Sequence, residues 1–266
     1  MTPRSVLRSG GSTRRRRLAI RYCAGRRKGG ADAPASLCAH TDGMTAVRIE
    51  RLGTLCYHEG LAWQQARAAE VRSGASEAIA VLQHEPVYTL GMRGSREHVL
   101  ASEQWLASRG AAVVETDRGG DVTFHGPGQL VAYPILDIRA LGFGAATYVR
   151  MLESCVIETL ATFGINADRV PGRPGVWVEA GVSKIAAVGV RIRDGVSTHG
   201  FALNVSTNLE WFEAIVPCGI ADAGVTSMAQ VLGDAPPHKA VEDTFLDIFA
   251  RTCEAARIES QVVAAR

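Results

Sequence analysis

The chain has 266 residues, of which 47% are hydrophobic and 21% are charged, and its formal net charge at pH 7 is +2. This composition is typical of a soluble globular protein that buries a sizeable core. Residues 1–43 contain ten Arg or Lys and two Asp, whereas residues 44–266 contain 19 basic and 25 acidic residues. The acidic balance of the second part argues against nucleic-acid or anionic-membrane binding by the folded region.

Residues 1–43 are predicted to be a disordered basic extension, because they contain the arginine run 14–17 and lack helical or strand periodicity. Three interpretations of this segment are open: a cationic organelle-targeting peptide, a translation start placed too far upstream, and an RNA-binding arm. The change in composition at Met44 favours the second interpretation. We therefore predict a folded domain over residues 44–258 and a C-terminal tail over residues 259–266.

After Met44 the sequence alternates between strand-like and helix-like patterns. Apolar and β-branched runs predict strands at 47–49, 78–82, 87–90, 111–116, 131–138, 176–178, 185–192 and 196–205. Helical spacing predicts helices at 60–71, 147–163 and about 241–256. The Asp194-Gly195 pair between two β-rich runs predicts a hairpin. Together these elements predict an α+β fold with a mixed or antiparallel sheet flanked by helices, rather than a doubly wound nucleotide-binding fold.

Six cysteines stand at positions 23, 38, 56, 155, 218 and 253, without a C-x-x-C pair or a histidine at zinc-finger spacing. We therefore expect neither a disulfide framework nor a metal site. No apolar run approaches the roughly 18 residues of a membrane span, so we expect a protein of the reducing cytoplasm. Cys56, Cys155 and Cys253 are expected to be small core residues.

The most unusual stretch runs over residues 118–130, RGGDVTFHGPGQL. Four glycines and a proline predict a loop whose backbone approaches a ligand closely. A tight turn between strands explains one or two of the glycines, but it does not explain why Arg118 and His125 frame the run. The stretch lacks the Gly-Lys-Ser/Thr of a Walker loop and the G-x-G-x-x-G fingerprint, so it does not indicate nucleotide binding. His199 is expected to be a hydrogen-bonded polar residue rather than a catalyst. The pair His84-Glu85 does not belong to a zinc motif, since no second histidine follows at the required spacing.

Two residues carry candidate chemistry, Lys184 and Cys218. The chain has only three lysines, at positions 28, 184 and 239, against 26 arginines. A lone lysine usually extends from a strand edge into water, but Lys184 precedes an apolar run, where an amine, unlike a guanidinium, can exchange protons near neutral pH. Cys218 lies in a Pro-Cys-Gly turn, where a thiolate is accessible. A thiolate and an amine suffice for acyl transfer without ATP, whether the neutral lysine takes the thiol proton or the pair rests as thiolate and ammonium.

Five segments resemble the octanoyl (lipoyl) transferase family in their residues, order and spacing. They are residues 86–91 (PVYTLG), 118–130, 175–178 (GVWV), 184–189 (KIAAVG) and 216–220 (VPCGI). The similarity spans roughly residues 47–256. Because that family shares its fold with biotin and lipoate protein ligases, the resemblance implies a biotin/lipoate protein ligase-like catalytic domain.

The resemblance also implies a reaction and its residues. It implies transfer of an octanoyl or lipoyl group from acyl-carrier protein to a lysine of lipoyl domains, those of 2-oxoacid dehydrogenases and of the glycine-cleavage H protein, without a cofactor or metal. Cys218 is the implied acyl-thioester nucleophile and Lys184 the base. The implied substrate-binding residues are Arg118, Gly119, Gly120, Asp121, Val122, Thr123, Phe124, His125, Ala187, Val188, Gly189, Gly200, Phe201 and Ala202.

Three other functions compete with acyl transfer. An ATP-dependent lipoate or biotin ligase activates its acid as an adenylate and needs no cysteine. A non-catalytic acyl-binding protein has no use for Lys184 and Cys218 together, and a cysteine hydrolase is expected to pair its cysteine with histidine. The Pro217-Cys218-Gly219 turn therefore favours the transferase.

Overall fold

The structure, a computed structural model, describes residues 47–216 and 224–264. The predictions for the basic segment 1–43 and for the Pro217-Cys218-Gly219 turn lie outside the described residues. The prediction of helical and strand segments after Met44 can be compared with the structure over nearly the whole domain.

Two β-sheets organise the described part of the chain. The strands are β1 (Arg48–Leu55), β2 (Ala78–His84), β3 (Val87–Leu90), β4 (Ala112–Glu115), β5 (Val122–His125), β6 (Gln129–Ile135), β7 (Asp168–Val170), β8 (Arg173–Val178), β9 (Ser183–Arg193), β10 (Val196–Asn204) and β11 (Gly224–Val225). Within the described ranges, eight strands form the main sheet in the order β1-β2-β6-β10-β9-β8-β7, with β11 beside β9. Strands β1 and β11 pair in parallel with β2 and β9, and the other neighbours are antiparallel. The small sheet has the order β4-β3-β5.

Five α-helices of the described ranges flank the two sheets. They are α1 (Tyr57–Arg72), α2 (Glu103–Ser108), α3 (Ala145–Thr162), α4 (Met228–Leu232) and α5 (His238–Ala264). Helix α2 packs beside the small sheet through Leu106. Apolar residues of α3 and α5, including Leu152 and Phe245, pack with Ile79 of β2 in the main core. Its neighbour Ala80 belongs to a separate cluster with Trp63 of α1, because successive strand residues face opposite sides of a sheet. The predicted mixed sheet flanked by helices is confirmed.

The predicted hairpin is also confirmed. Strands β9 and β10 are joined by Asp194 and Gly195, whose φ angles are 54° and 86°. Positive φ at both central residues is the requirement that makes Asp-Gly a favoured two-residue hairpin turn.

Several predicted boundaries are wrong, and one element was missed inside the unusual loop. Residues 122–125 of the predicted 118–130 loop form β5, which pairs antiparallel with β3 from Leu90↔Val122 to Val87↔His125. The β-forming side chains of this short strand are mostly buried, and burial outweighs the flanking glycines. Strand β1 extends six residues beyond the predicted 47–49 run, to Leu55, and α5 continues to Ala264, past residue 256 where the predicted last helix ended.

None of the helices in the described ranges is both long and apolar enough to cross a membrane.

Candidate active site

A cavity of about 710 Å³ lies between β9, β10 and the glycine-rich loop. Its volume falls within the roughly 300–1,000 Å³ typical of small-molecule sites. The predicted binding residues that line it are Arg118, Gly119, Gly120, Asp121, Val122, Thr123, His125, Ala187, Val188, Gly189, Gly200 and Ala202. Lys184 lines the same cavity, near the start of β9. The structure therefore brings one predicted catalytic residue and most of the predicted binding residues together.

The two predicted phenylalanines lie elsewhere. Phe124 is fully buried and stacks on Trp211, with ring centroids 4.9 Å apart, in the core beside the small sheet. Phe201 packs against Phe245 of α5 in the main core. Both neighbours of Phe201 in β10 line the cavity, so the alternation of strand side chains turns this ring to the opposite face.

Arg118 holds the glycine-rich loop in shape. Its guanidinium is buried and donates hydrogen bonds to the Thr89 carbonyl at 2.6 Å and to the Asp121 carbonyl at 2.7 Å. The Gly119 N–H donates to the Val190 carbonyl of β9 at 3.0 Å, which joins the loop to the main sheet. The loop is thus held by Arg118 on one side and by β9 on the other, and the arginine bonds to backbone carbonyls that keep the loop in this conformation.

Close backbone packing explains why β9 carries a glycine opposite this loop. A Cβ atom on Gly189 would lie 2.7 Å from the Gly119 carbonyl oxygen. Any larger residue would push the loop away from β9 and open the wall of the cavity.

Lys184 lies against an aromatic ring. Its Nζ is 4.7 Å from the centroid of the buried Trp177 ring, a distance at which an ammonium is attracted to the ring face. The β8–β9 register shifts here, because Val176 pairs with Ala186 whereas Trp177 pairs with Lys184. Such bulges re-aim side chains beside functional sites. The irregular register therefore sets the orientation of the lysine on Trp177.

A chain of hydrogen bonds connects the loop to the backbone of Lys184. His125 Nδ1 lies 2.8 Å from Gln129 Oε1, and Gln129 Nε2 donates to Asn204 Oδ1 at 2.9 Å. Asn204 Nδ2 donates to the Thr226 carbonyl at 3.0 Å, and the Thr226 N–H donates to the Lys184 carbonyl at 2.9 Å. Because an amide oxygen only accepts, His125 carries its proton on Nδ1. The two walls of the cavity are therefore positioned relative to each other.

Sequence reasoning missed a buried cluster of three histidines beside the cavity. The rings of His84 and His125 meet edge to face with centroids 5.8 Å apart, and His199 Nε2 lies 2.9 Å from Asp117 Oδ1. Burial lowers the pKa of His84 to about 4 and holds the pKa of His125 well below its ordinary value. Burial also lowers the pKa of His199, although the Asp117 carboxylate opposes the shift. These imidazoles are neutral at pH 7, so none is a cation for an anionic substrate. No spacing in the sequence relates them, because only the strand order brings them together.

Three cysteines occupy the cores, as predicted. Cys56, Cys155 and Cys253 are buried, and the last two carry free thiols. Burial raises the pKa of Cys155 to about 11 and that of Cys253 to about 12, so these two remain thiols at neutral pH. Cys218 lies outside the described residues. Over residues 47–216 and 224–264, no group of three or more His, Cys, Asp or Glu side chains could hold a metal ion.

Comparison with known proteins identifies the family. Residues 56–250 match the lipoyl protein ligase A/B catalytic domain. An octanoyltransferase of Chloroflexus aggregans is 47% identical over 207 residues, which cover 76% of this chain and 93% of the relative. This chain belongs to the octanoyltransferases. An octanoyltransferase of Myxococcus xanthus is 44% identical over 222 residues, 82% of this chain and 62% of the length of that relative. The resemblance predicted from the five sequence segments is confirmed, and the chain is an acyltransferase.

Solved structures confirm the fold. A bi-partite lipoate protein ligase from Thermoplasma acidophilum superposes with a TM-score of 0.63 at 18% identity, covering 79% of this chain and 85% of the other. A lipoate-protein ligase A bound with ATP gives a TM-score of 0.64 at 17% identity, covering 79% and 86%. At such low identity these structures establish the ligase-like architecture and nothing about chemistry.

Proposed function

We propose that this octanoyltransferase takes an octanoyl or lipoyl group from acyl-carrier protein and delivers it to a lysine of a lipoyl domain, through a thioester on Cys218 with Lys184 as acid and base. The observation that carries the proposal is the position of Lys184, which lines the cavity among small and apolar residues. The other lysine after residue 44, Lys239, has a side chain that is 75% exposed and pairs with Asp243.

The cavity wall suits an acyl chain. Ala187, Val188, Gly189, Gly200 and Ala202 offer an apolar surface with few side-chain atoms. Each methylene buried there contributes about 0.8 kcal/mol. The small residues also leave room for the chain to lie along β9 and β10. We assign this wall to the acyl group, and the loop 118–123 with His125 to the opposite side of the same slot.

The neighbours of Cys218 support its assignment as the nucleophile. Ile215 and Val225, on either side of the segment 217–223, both line the cavity. Cys218 follows Ile215 by three residues, and a chain of three residues spans at most about 11 Å. The raised pKa values of Cys155 and Cys253 make those two thiols poor nucleophiles.

The proposed chemistry has two balanced half-reactions. The Cys218 thiolate attacks the carbonyl of the acyl-carrier thioester, and the departing carrier thiolate takes a proton from the Lys184 ammonium. The acceptor amine then attacks the acyl-enzyme while Lys184 takes up the amine proton, and the Cys218 thiolate leaves. The Trp177 ring stabilises the ammonium form, which favours a resting pair of thiolate and ammonium over a neutral pair. The product amide is more stable than the thioester, so the transfer needs no ATP, and we assign no metal to it.

The remaining assignments extend this proposal. The donor is octanoyl-acyl-carrier protein, and the acceptors are the lipoyl domains of 2-oxoacid dehydrogenases and of the glycine-cleavage H protein. We place the reaction in the cytoplasm, and we assign it to a catalytic domain over residues 44–258.

Intact-protein mass after exposure to octanoyl-acyl-carrier protein tests the mechanism. The native chain should gain one octanoyl group without ATP or magnesium and in the presence of a chelator, and should lose it on addition of a lipoyl domain. Cys218→Ala should give no adduct, whereas the matched Cys155→Ala and Cys253→Ala variants should still be acylated. Lys184→Arg should form the amide poorly, since a guanidinium cannot accept a proton at these pH values. An adduct on Cys218→Ala, normal amide formation by Lys184→Arg, or a requirement for ATP contradicts the proposal.

A further inference from the structure

The side chain of Glu153 on helix α3 is almost completely buried, with a relative exposure of 4%. A carboxylate at such a position needs hydrogen-bond partners that compensate for the free energy lost when it leaves water. Glu153 has two: its Oε2 accepts a hydrogen bond from Arg169 Nε at 3.1 Å, and its Oε1 accepts one from the Gly175 N–H at 2.8 Å. The first partner lies on β7 and the second on β8, so this carboxylate fastens both strands to α3.

The two partners of Glu153 differ in whether they contact Lys184. Arg169 is partly exposed and also donates to the Arg150 carbonyl at 2.9 Å, and neither of these two arginines lines the cavity. Gly175, in contrast, lies under the catalytic lysine. A Cβ atom built on Gly175 would be 3.4 Å from Cε and 3.5 Å from Cδ of Lys184. The methylene stem of the lysine therefore rests on the backbone that Glu153 holds.

The conformation of Gly175 requires such a restraint. Its φ angle is +118°, a value that L-residues rarely adopt, and a Cβ would lie 2.6 Å from the Ala186 carbonyl oxygen. A flexible glycine beside the β8–β9 bulge has many alternative conformations, and Trp177, whose ring face meets Lys184 Nζ, follows two residues later. The hydrogen bond from the Gly175 N–H to Glu153 therefore restrains both the backbone under the Lys184 methylene chain and the position of the Trp177 ring.

We infer that Glu153 is a positioning residue for the reaction, which holds Lys184 through the Gly175 N–H rather than by touching substrate. This inference rests on the proposed role of Lys184. Glu153 belongs to none of the sequence segments that resemble the family and does not line the cavity.

Variants that break the two bonds of Glu153 separately test the inference. Glu153→Ala removes both bonds. Arg169→Gln removes the ion pair, together with the bonds of Arg169 to the Arg150 carbonyl and to Ser154, but leaves the bond of Glu153 to Gly175. Glu153→Gln retains an oxygen that can accept from Gly175. Glu153→Asp keeps the charge but shortens the side chain by one methylene, so it draws the carboxylate away from Gly175. All four are assayed for octanoyl transfer to a lipoyl domain at a temperature below every unfolding midpoint.

We expect the variants that lose the Gly175 bond to lower kcat without changing the donor KM, and we expect the loss of kcat not to correlate with the unfolding midpoint. Glu153→Ala and Glu153→Asp should lower kcat about tenfold or more, because a catalytic group displaced by a fraction of an ångström loses most of its effect. The donor KM should stay within about twofold of the native value, since the acyl wall on β9 and β10 is intact. Arg169→Gln should lower the unfolding midpoint yet keep kcat near the native value, and Glu153→Gln should restore most of the activity that Glu153→Ala loses.

Native kcat in Glu153→Ala or, if that variant does not fold, in Glu153→Asp would overturn the inference. A loss of kcat that tracks the unfolding midpoint in all the variants, Arg169→Gln included, would do the same. Failure of the proposed function is recognised separately, because the native chain would then form no adduct on Cys218 or Lys184→Arg would retain transfer.

Discussion

The buried His84 imidazole should make the stability of this protein depend on pH. Its Nδ1 is 3.1 Å from the Leu55 carbonyl and its Nε2 is 2.6 Å from the Tyr133 hydroxyl. A carbonyl can only accept, so Nδ1 carries the proton of a neutral ring. Burial lowers the pKa of His84 from 6.5 to about 4 in the folded state. Acidification between these two values therefore protonates the unfolded chain first, and the stability present above pH 6.5 is lost as the pH falls toward 4.

The size of the effect follows from the two pKa values of His84. Between pH 7 and pH 5 the unfolded form binds nearly a full proton at this site and the folded form little, which corresponds to about 2 kcal/mol of lost unfolding free energy. Burial also lowers the pKa values of His125 and His199, so the total loss in the native protein should be larger. The contribution of His84 must be isolated by comparison with a variant.

Urea unfolding of the native protein and of His84→Gln at pH 7 and pH 5 provides that comparison. His84→Gln should be less stable than the native protein at pH 7, but its loss on acidification should be smaller by about 2 kcal/mol. Tyr133→Phe is the matched control, because it removes the hydroxyl contact and leaves the imidazole buried; it should keep the native pH dependence. Equal losses on acidification in the native protein and His84→Gln would refute the reasoning.

Three further predictions concern activity. Trp177→Leu should slow acyl transfer about fivefold, the equivalent of about 1 kcal/mol of ammonium–ring attraction. Trp105→Leu, which removes a ring that stacks with Arg109 and does not line the cavity, should keep the native kcat, and equal effects of the two substitutions would contradict the proposal. Gly189→Ala should raise the donor KM about tenfold by displacing the glycine-rich loop, and Gly144→Ala, with no atom within 4 Å of the new Cβ, should not. A chain beginning at Met44 should fold and retain full turnover in the same transfer assay, and loss of solubility or activity would assign the basic segment to the folded domain.

Elements of the fold could be predicted where a periodic pattern was long or where the residues of a turn were characteristic of one turn type. The hairpin at Asp194-Gly195 and the repeat of α3 belong to this group, because a positive φ pair and a 3.6-residue period are properties of the local chain. Strand β5 could not be predicted so easily, since four residues between glycines form a strand only because β3 lies beside them. Its burial is a tertiary effect.

The same distinction applies to the candidate site. Lys184 was identifiable because lysine is scarce and the run after it is apolar. Glu153 and His84 gave no such signal, because a glutamate on a helix is usually exposed and the partner of each residue comes from a distant strand. Phe201 was grouped with its two neighbours by the family resemblance, although strand alternation turns its ring into the main core.

The hydrogen-bonded chain from His125 to the Lys184 backbone passes through the side-chain amides of Gln129 and Asn204. Carboxamides neither gain nor lose a proton across the pH range in which thiols, amines and imidazoles change charge. Their bonds therefore keep the same donors and acceptors whichever ionic form the reacting groups adopt during a turnover. The two amides that align the cavity walls therefore stay uncharged throughout the reaction. The reacting groups can change charge without altering the distance between the two walls, on which the transfer depends.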